Sequence, residues 1–103
     1  MTTDQAVIVQ FSYGSRDLSP LFELEDRLET AIEAAQAGEY DGNEIAVDGS
    51  GGSLYMYGPD ADRLAEVILP LLEAVSFMRG AAITKRYGPP GDGVREVEIE
   101  VGA

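Results

Sequence analysis

The chain contains no cysteine and no histidine. Without cysteine there is no disulfide framework, no thiolate nucleophile and no Cys-ligated zinc or iron–sulfur centre. Without histidine the usual general base is missing, and with it the Ser-His-Asp triad and most transition-metal sites. Any catalysis would rest on carboxylates, lysine, tyrosine or a hard cation. Positive charge is scarce as well: 7 Lys and Arg stand against 19 Asp and Glu, a net charge of −12. Binding to phosphate needs clustered Lys and Arg, so neither nucleic acid nor an anionic membrane is an expected partner. The longest apolar run, "VILPLL" (Val67–Leu72), is too short to span a bilayer. The opening "MTTDQAV" has no basic segment before an apolar one, so no secretion signal is expected and the protein is read as cytosolic.

What is present describes one folded unit. A chain of 103 residues with 45% hydrophobic content fits a single domain, 1–103, around one core. The acidic excess serves solubility, or it forms a surface for a basic protein.

Periodicity places the elements. In Ala6–Tyr13, Val7, Val9, Phe11 and Tyr13 share one strand face, and Ile8, Gln10 and Ser12 the other. A helix follows, with Ser19 as cap, Pro20 in its first turn and Gly38 as its stop. Its buried stripe is Leu21, Leu24, Leu28, Ile32 and Ala35. Asn43–Gly49 and Ser53–Gly58 read as strands about a reversal that uses Gly49, Gly51 and Gly52. Asp60 caps a second helix reaching Phe77, with Leu64, Val67, Ile68, Leu71, Leu72 and Val75 inward. Pro70 removes the amide that would bond to Glu66, at roughly 3 kcal/mol unless packing compensates, and the helix is expected to continue through it with a bend. The segments 79–88 and 94–101 form a hairpin. It sets Val97, Ile99 and Val101 on one face and Glu96, Glu98 and Glu100 on the other, with Lys85 and Arg86 facing the glutamates.

The order βαββαββ predicts an α+β, ferredoxin-like βαββαβ fold with an extra C-terminal strand. Its five-stranded antiparallel sheet has the order 2-3-1-4-5, with two helices on one face.

Few motifs carry chemistry. "GSGGS" lacks the ending of a phosphate-binding loop and fails the dinucleotide pattern. "DGNEIAVDG" begins with calcium-loop spacing at Asp41 and Asn43, but Ile45 and Val47 interrupt it. Most carboxylates fall on helix faces or the last strand, where they are solvated rather than paired across a cleft. No catalytic residue, metal ligand or cofactor is therefore expected, and the chain is read as a non-enzyme.

Two surfaces remain. Tyr55 and Tyr57 alternate with Leu54 and Met56. If the latter meet the helices, both tyrosines stand on the open face of the sheet beside Ile8, Gln10, Ser12, Thr84 and Arg86. Homodimerisation is the first use expected of that face and a ligand site the second, with Tyr55, Tyr57 and Arg86 as its residues. In the opposite arrangement the tyrosines point inward. The second surface is acidic: Glu25, Glu29 and Glu33 recur every four residues along the first helix, with Asp41 and Glu44 as secondary candidates. Such a row is a solvated face that tolerates its own repulsion, or a docking strip for an Arg- and Lys-rich partner.

The stretch "EYDGNEIAVDGSGGSLYMYGPDADRLAEVILPLLE" (Glu39–Glu73) resembles part of the regulator of ribonuclease E activity B group and its uncharacterised bacterial relatives. The resemblance covers about a third of the chain. It implies a ferredoxin-like fold and protein-level inhibition of a nuclease. Small acidic immunity proteins, which mask basic toxins, share this composition. The expected function is thus a small acidic interaction or regulatory protein that binds a basic protein surface, such as an inhibitor or immunity protein of a nuclease. The alternatives are a small-molecule-binding or catalytic domain that uses the open sheet face, and a subunit or fused module with no activity of its own.

Overall fold

The computed structural model describes residues 5–89, 91 and 93–102. The first residues of the "MTTDQAV" segment, and Pro90 and Asp92 of the loop before the last strand, lie outside them. The elements are β1 (Gln5–Ser12), α1 (Ser19–Ala35), β2 (Glu39–Ile45), β3 (Gly51–Gly58), α2 (Ala61–Glu73), a 3-10 turn (Ser76–Met78), β4 (Ala82–Arg86) and β5 (Glu96–Glu100). All neighbouring strands are antiparallel, in the order β2-β3-β1-β4-β5. This is the ferredoxin-like plan with its extra strand.

The core lies between the sheet and the two helices. Val7, Val9, Phe11, Leu54, Met56 and Ile83 come from the sheet. Leu21, Leu24, Leu28 and Ile32 of α1 and Leu64, Ile68 and Leu72 of α2 meet them. Full burial of each large aliphatic side chain contributes about 1.5–3 kcal/mol. Among the described residues no polar or charged side chain is buried.

Local chemistry moves several boundaries. Ser19 does not cap α1; it is the first helical residue, and its amide is held by the Asp17 carboxylate at 3.1 Å. The helix ends at Ala35, before Gly38. Gln36 adopts the left-handed conformation (φ 52°), and the amides of Gln36 and Ala37 bond back to the carbonyls of Glu33 and Ile32. Asp60 caps α2 as expected, accepting from the Arg63 amide at 3.2 Å. Pro70 does not break α2, which continues to Glu73. Pro70 lies exposed near the helix end, where few turns depend on it. The chain then turns at Ser76–Met78 and brings the Phe77 ring 5.1 Å from Tyr13 and 6.3 Å from Phe11.

β2 begins at Glu39, not Asn43, and ends at Ile45. The reversal is Ala46–Ser50, held by Gly49 N–H to Ala46 O and by the Asp48 carboxylate on the Ser50 amide, both at 2.9 Å. Gly49 supplies the positive φ (75°). Gly51 and Gly52 are strand residues of β3.

Candidate interaction surface

Strand register determines the uncovered face. Leu54 and Met56 are fully buried against the helices, so Tyr55 and Tyr57 point to the opposite side. Tyr55 lies opposite Ile8, which lies opposite Thr84, which lies opposite Glu98. The next row runs Glu39, Tyr57, Ala6, Arg86, Glu96. The third runs Glu44, Ser53, Gln10, Ala82, Glu100. The face therefore has a half-buried floor of Ile8, Tyr55, Tyr57 and Thr84, bordered by exposed carboxylates on both edge strands. Ala6, between Tyr57 and Arg86, is fully covered.

Two polar groups of this face are already engaged. The Tyr55 hydroxyl donates to Glu44, and that bond is the first cause of the raised Tyr55 pKa. Arg86 Nε donates to the Gly88 carbonyl at 2.7 Å.

Lys85 does not face the glutamates. Ile83 pairs with Val9 in the core, and Lys85, two residues on, shares that face. Its ammonium reaches Asp62 of α2 at 3.0 Å, and the Tyr87 hydroxyl donates to the same oxygen at 2.5 Å. These partners hold the Asp62 carboxyl below its usual range, Tyr87 first and Lys85 second, and Asp62 in turn raises Lys85. A depressed carboxyl stabilises the fold above its unfolded pKa of about 3.9, and the effect is lost as pH falls through the folded value. Lys85 acts at the other extreme: its contribution is present below the ordinary lysine pKa and disappears in strong base. Asp62→Asn is therefore expected to lower the melting temperature at pH 7 and to match the parent chain near pH 2. Melting curves across that range check it, and a constant difference would refute the coupling.

The residues of the proposed acidic strip are divided. Glu25 accepts hydrogen bonds from the Tyr40 hydroxyl and from Asn43 Nδ2 (2.6 Å). Burial, and then Glu25 itself, push the Tyr40 phenol upward. Glu29 and Glu33 are exposed on α1, and Asp41 is exposed at a register shift between Tyr40 and Gly42 of β2. Glu44 lies on the opposite, uncovered side of the sheet with Tyr55. The five thus do not form one surface. The set that does share a face is Glu39, Glu44, Glu96, Glu98 and Glu100. The alternation "EVEIE" signals its larger part; Arg86 lies opposite Glu96 on this face, whereas Lys85 lies opposite Val97 on the other.

Together the fold and face define a ferredoxin-like α+β domain with an uncovered, acid-bordered sheet. No protein-family model and no curated protein matches the chain. Among solved structures the fold is similar to that of Rv0793 from Mycobacterium tuberculosis, with a TM-score of 0.61 and 23% identity over 86% of this chain and 97% of that one. The likeness supports the shared fold. No helix among the described residues is long and apolar enough to cross a membrane.

Proposed function

We propose that the protein is a non-catalytic acidic binding domain whose uncovered sheet face receives a basic protein surface. One observation carries the reading: Glu39, Glu44, Glu96, Glu98 and Glu100 border that face, and among the described residues Arg86 is the one cation set against them. Lys85, the other candidate for neutralising them, is committed to Asp62 on the far side. A half-buried aromatic floor inside a charged border suits recognition, because the border steers a partner and the floor excludes water.

The perturbed groups favour binding over acid–base catalysis. Tyr40, Tyr55 and Lys85 are raised and Asp48 and Asp62 lowered, each away from neutrality. A general acid or base needs the opposite movement. The engagement of Tyr55 by Glu44 and of Arg86 by Gly88 also leaves less for a small ligand to use. A second copy on this face would set carboxylate borders against carboxylate borders, so the charge balance favours a basic protein over a homodimer. Proteins that handle nucleic acid must display Lys and Arg to phosphate. With the resemblance to nuclease regulators, that makes a nuclease the partner class we favour, occluded by the acidic face.

The test uses two variants that each remove three negative charges. E96Q/E98Q/E100Q alters the sheet face, and E25Q/E29Q/E33Q alters the helix. With a purified histone as basic probe, the first is expected to weaken binding about tenfold and the second far less. Equal weakening by both would reduce the effect to net charge and overturn the proposal.

A further inference from the structure

We infer that β5 is a docking edge that accepts an extended segment of the basic partner as a sixth strand, one in which basic and apolar residues alternate. This rests on the reading above and specifies its mode.

The two edges of the sheet differ. β2 carries the register shift at Asp41, with Gly42 at φ 132°, and α1 is tied to it through Glu25, Tyr40 and Asn43. A bulge of this kind blunts an edge. β5 pairs with β4 in unbroken register over its whole length, and no described strand lies on its other side. Tyr87 N–H to Arg95 O and Val101 N–H to Ala81 O, each at 2.9 Å, identify hydrogen-bonded pairs at both ends of this ladder. By antiparallel alternation, the backbone groups of Val97 and Ile99 face β4, and those of Glu96, Glu98 and Glu100 face outward.

Both faces of this edge specify what fits. On the uncovered side a newcomer meets the carboxylates of Glu96, Glu98 and Glu100. On the helix side Val97 and Ile99 are half-buried, because α2 packs over β1, β3 and β4 and stops short of β5. A hollow of about 330 Å³ lies there, lined by Asp62, Ala65, Glu66, Leu69, Lys85 and Ile99. Apolar side chains of an added strand would enter it while its basic side chains oppose the glutamates. A second β5 cannot play this part: antiparallel self-pairing sets Glu98 against Glu98, or an equivalent like-charge pair, and such pairs are destabilising. Main-chain bonding supplies affinity and the alternating side chains supply specificity.

The experiment titrates the intact protein with a short acetylated peptide that alternates lysine with valine, read by fluorescence anisotropy. A peptide of the same composition with its lysines in one block is the control. Two further peptides carry N-methyl groups on the lysines only or on the valines only. The alternating peptide is expected to bind about tenfold tighter than the block peptide, and one N-methyl set to abolish that advantage while the other retains it. Indifference to both N-methyl sets, with binding still weakened by E96Q/E98Q/E100Q, would overturn strand addition and leave the acidic-surface reading intact. No binding by any peptide, and no effect of the triple on the histone probe, would overturn both.

Discussion

Gly38→Ala is expected to destabilise the protein by about 3 kcal/mol or more, among the largest effects of any single methyl group in this chain. The cause is geometric. Where the chain leaves α1 and enters β2 it passes against the end of β3, and a Cβ on Gly38 would lie 2.1 Å from the Tyr57 carbonyl oxygen and 2.9 Å from Gly58 Cα. Both obstacles are backbone, so no side-chain rotation relieves them. The residue also has φ 147°, which L-residues rarely adopt. Relief requires β2 and β3 to part at the Glu39–Tyr57 pair, which would remove Glu39 from the border of the face. Gly14→Ala is the control. Gly14 has φ 83° with nothing within 4 Å of a new Cβ, so only the conformational penalty of about 1–2 kcal/mol applies. Urea midpoints for the two variants should differ clearly. Equal midpoints would show that the crossing is looser than its geometry indicates.

Charge reversal on β5 should have the largest effect on binding. E96K/E98K/E100K is expected to reduce affinity for a basic probe by about a hundredfold or more, well beyond the neutral triple. Neutralisation removes attraction only, whereas reversal adds repulsion against each cation of the partner. All three side chains are exposed and Val97 and Ile99 are unchanged, so the fold should tolerate the substitutions. The circular dichroism spectrum and urea midpoint should stay near those of the parent chain. The loss should shrink as salt rises, because exposed charges are screened. Unchanged affinity at low salt would place the binding surface elsewhere.

What could be read from the chain followed local periodicity. The stripe from Leu21 to Ile32 and the alternation of Tyr55 and Tyr57 with Leu54 and Met56 follow from side-chain spacing within single elements, and the order of the strands from the succession of elements and the hand of their crossovers. What was missed depends on partners distant in sequence. "EYDG" resembles a loop because a strand bulge admits the same polar and glycine residues. The direction of Lys85 follows from the pairing of Ile83 with Val9, more than seventy positions apart. Glu25 looked free on its helix, but Tyr40 and Asn43 reach it only once β2 lies alongside. Ser19 lies inside the helix rather than capping it, and the Asp17 carboxylate two residues earlier holds its amide.

The inequality between the two borders of the sheet limits how the molecule can assemble. Polymerisation by strand stacking requires each copy to offer two compatible ends, one to receive and one to be received. Here one end is distorted at Asp41 and the other repels its own image through Glu98. Assembly should therefore terminate at a one-to-one complex, and concentrated solutions of the protein alone should remain free of fibrils.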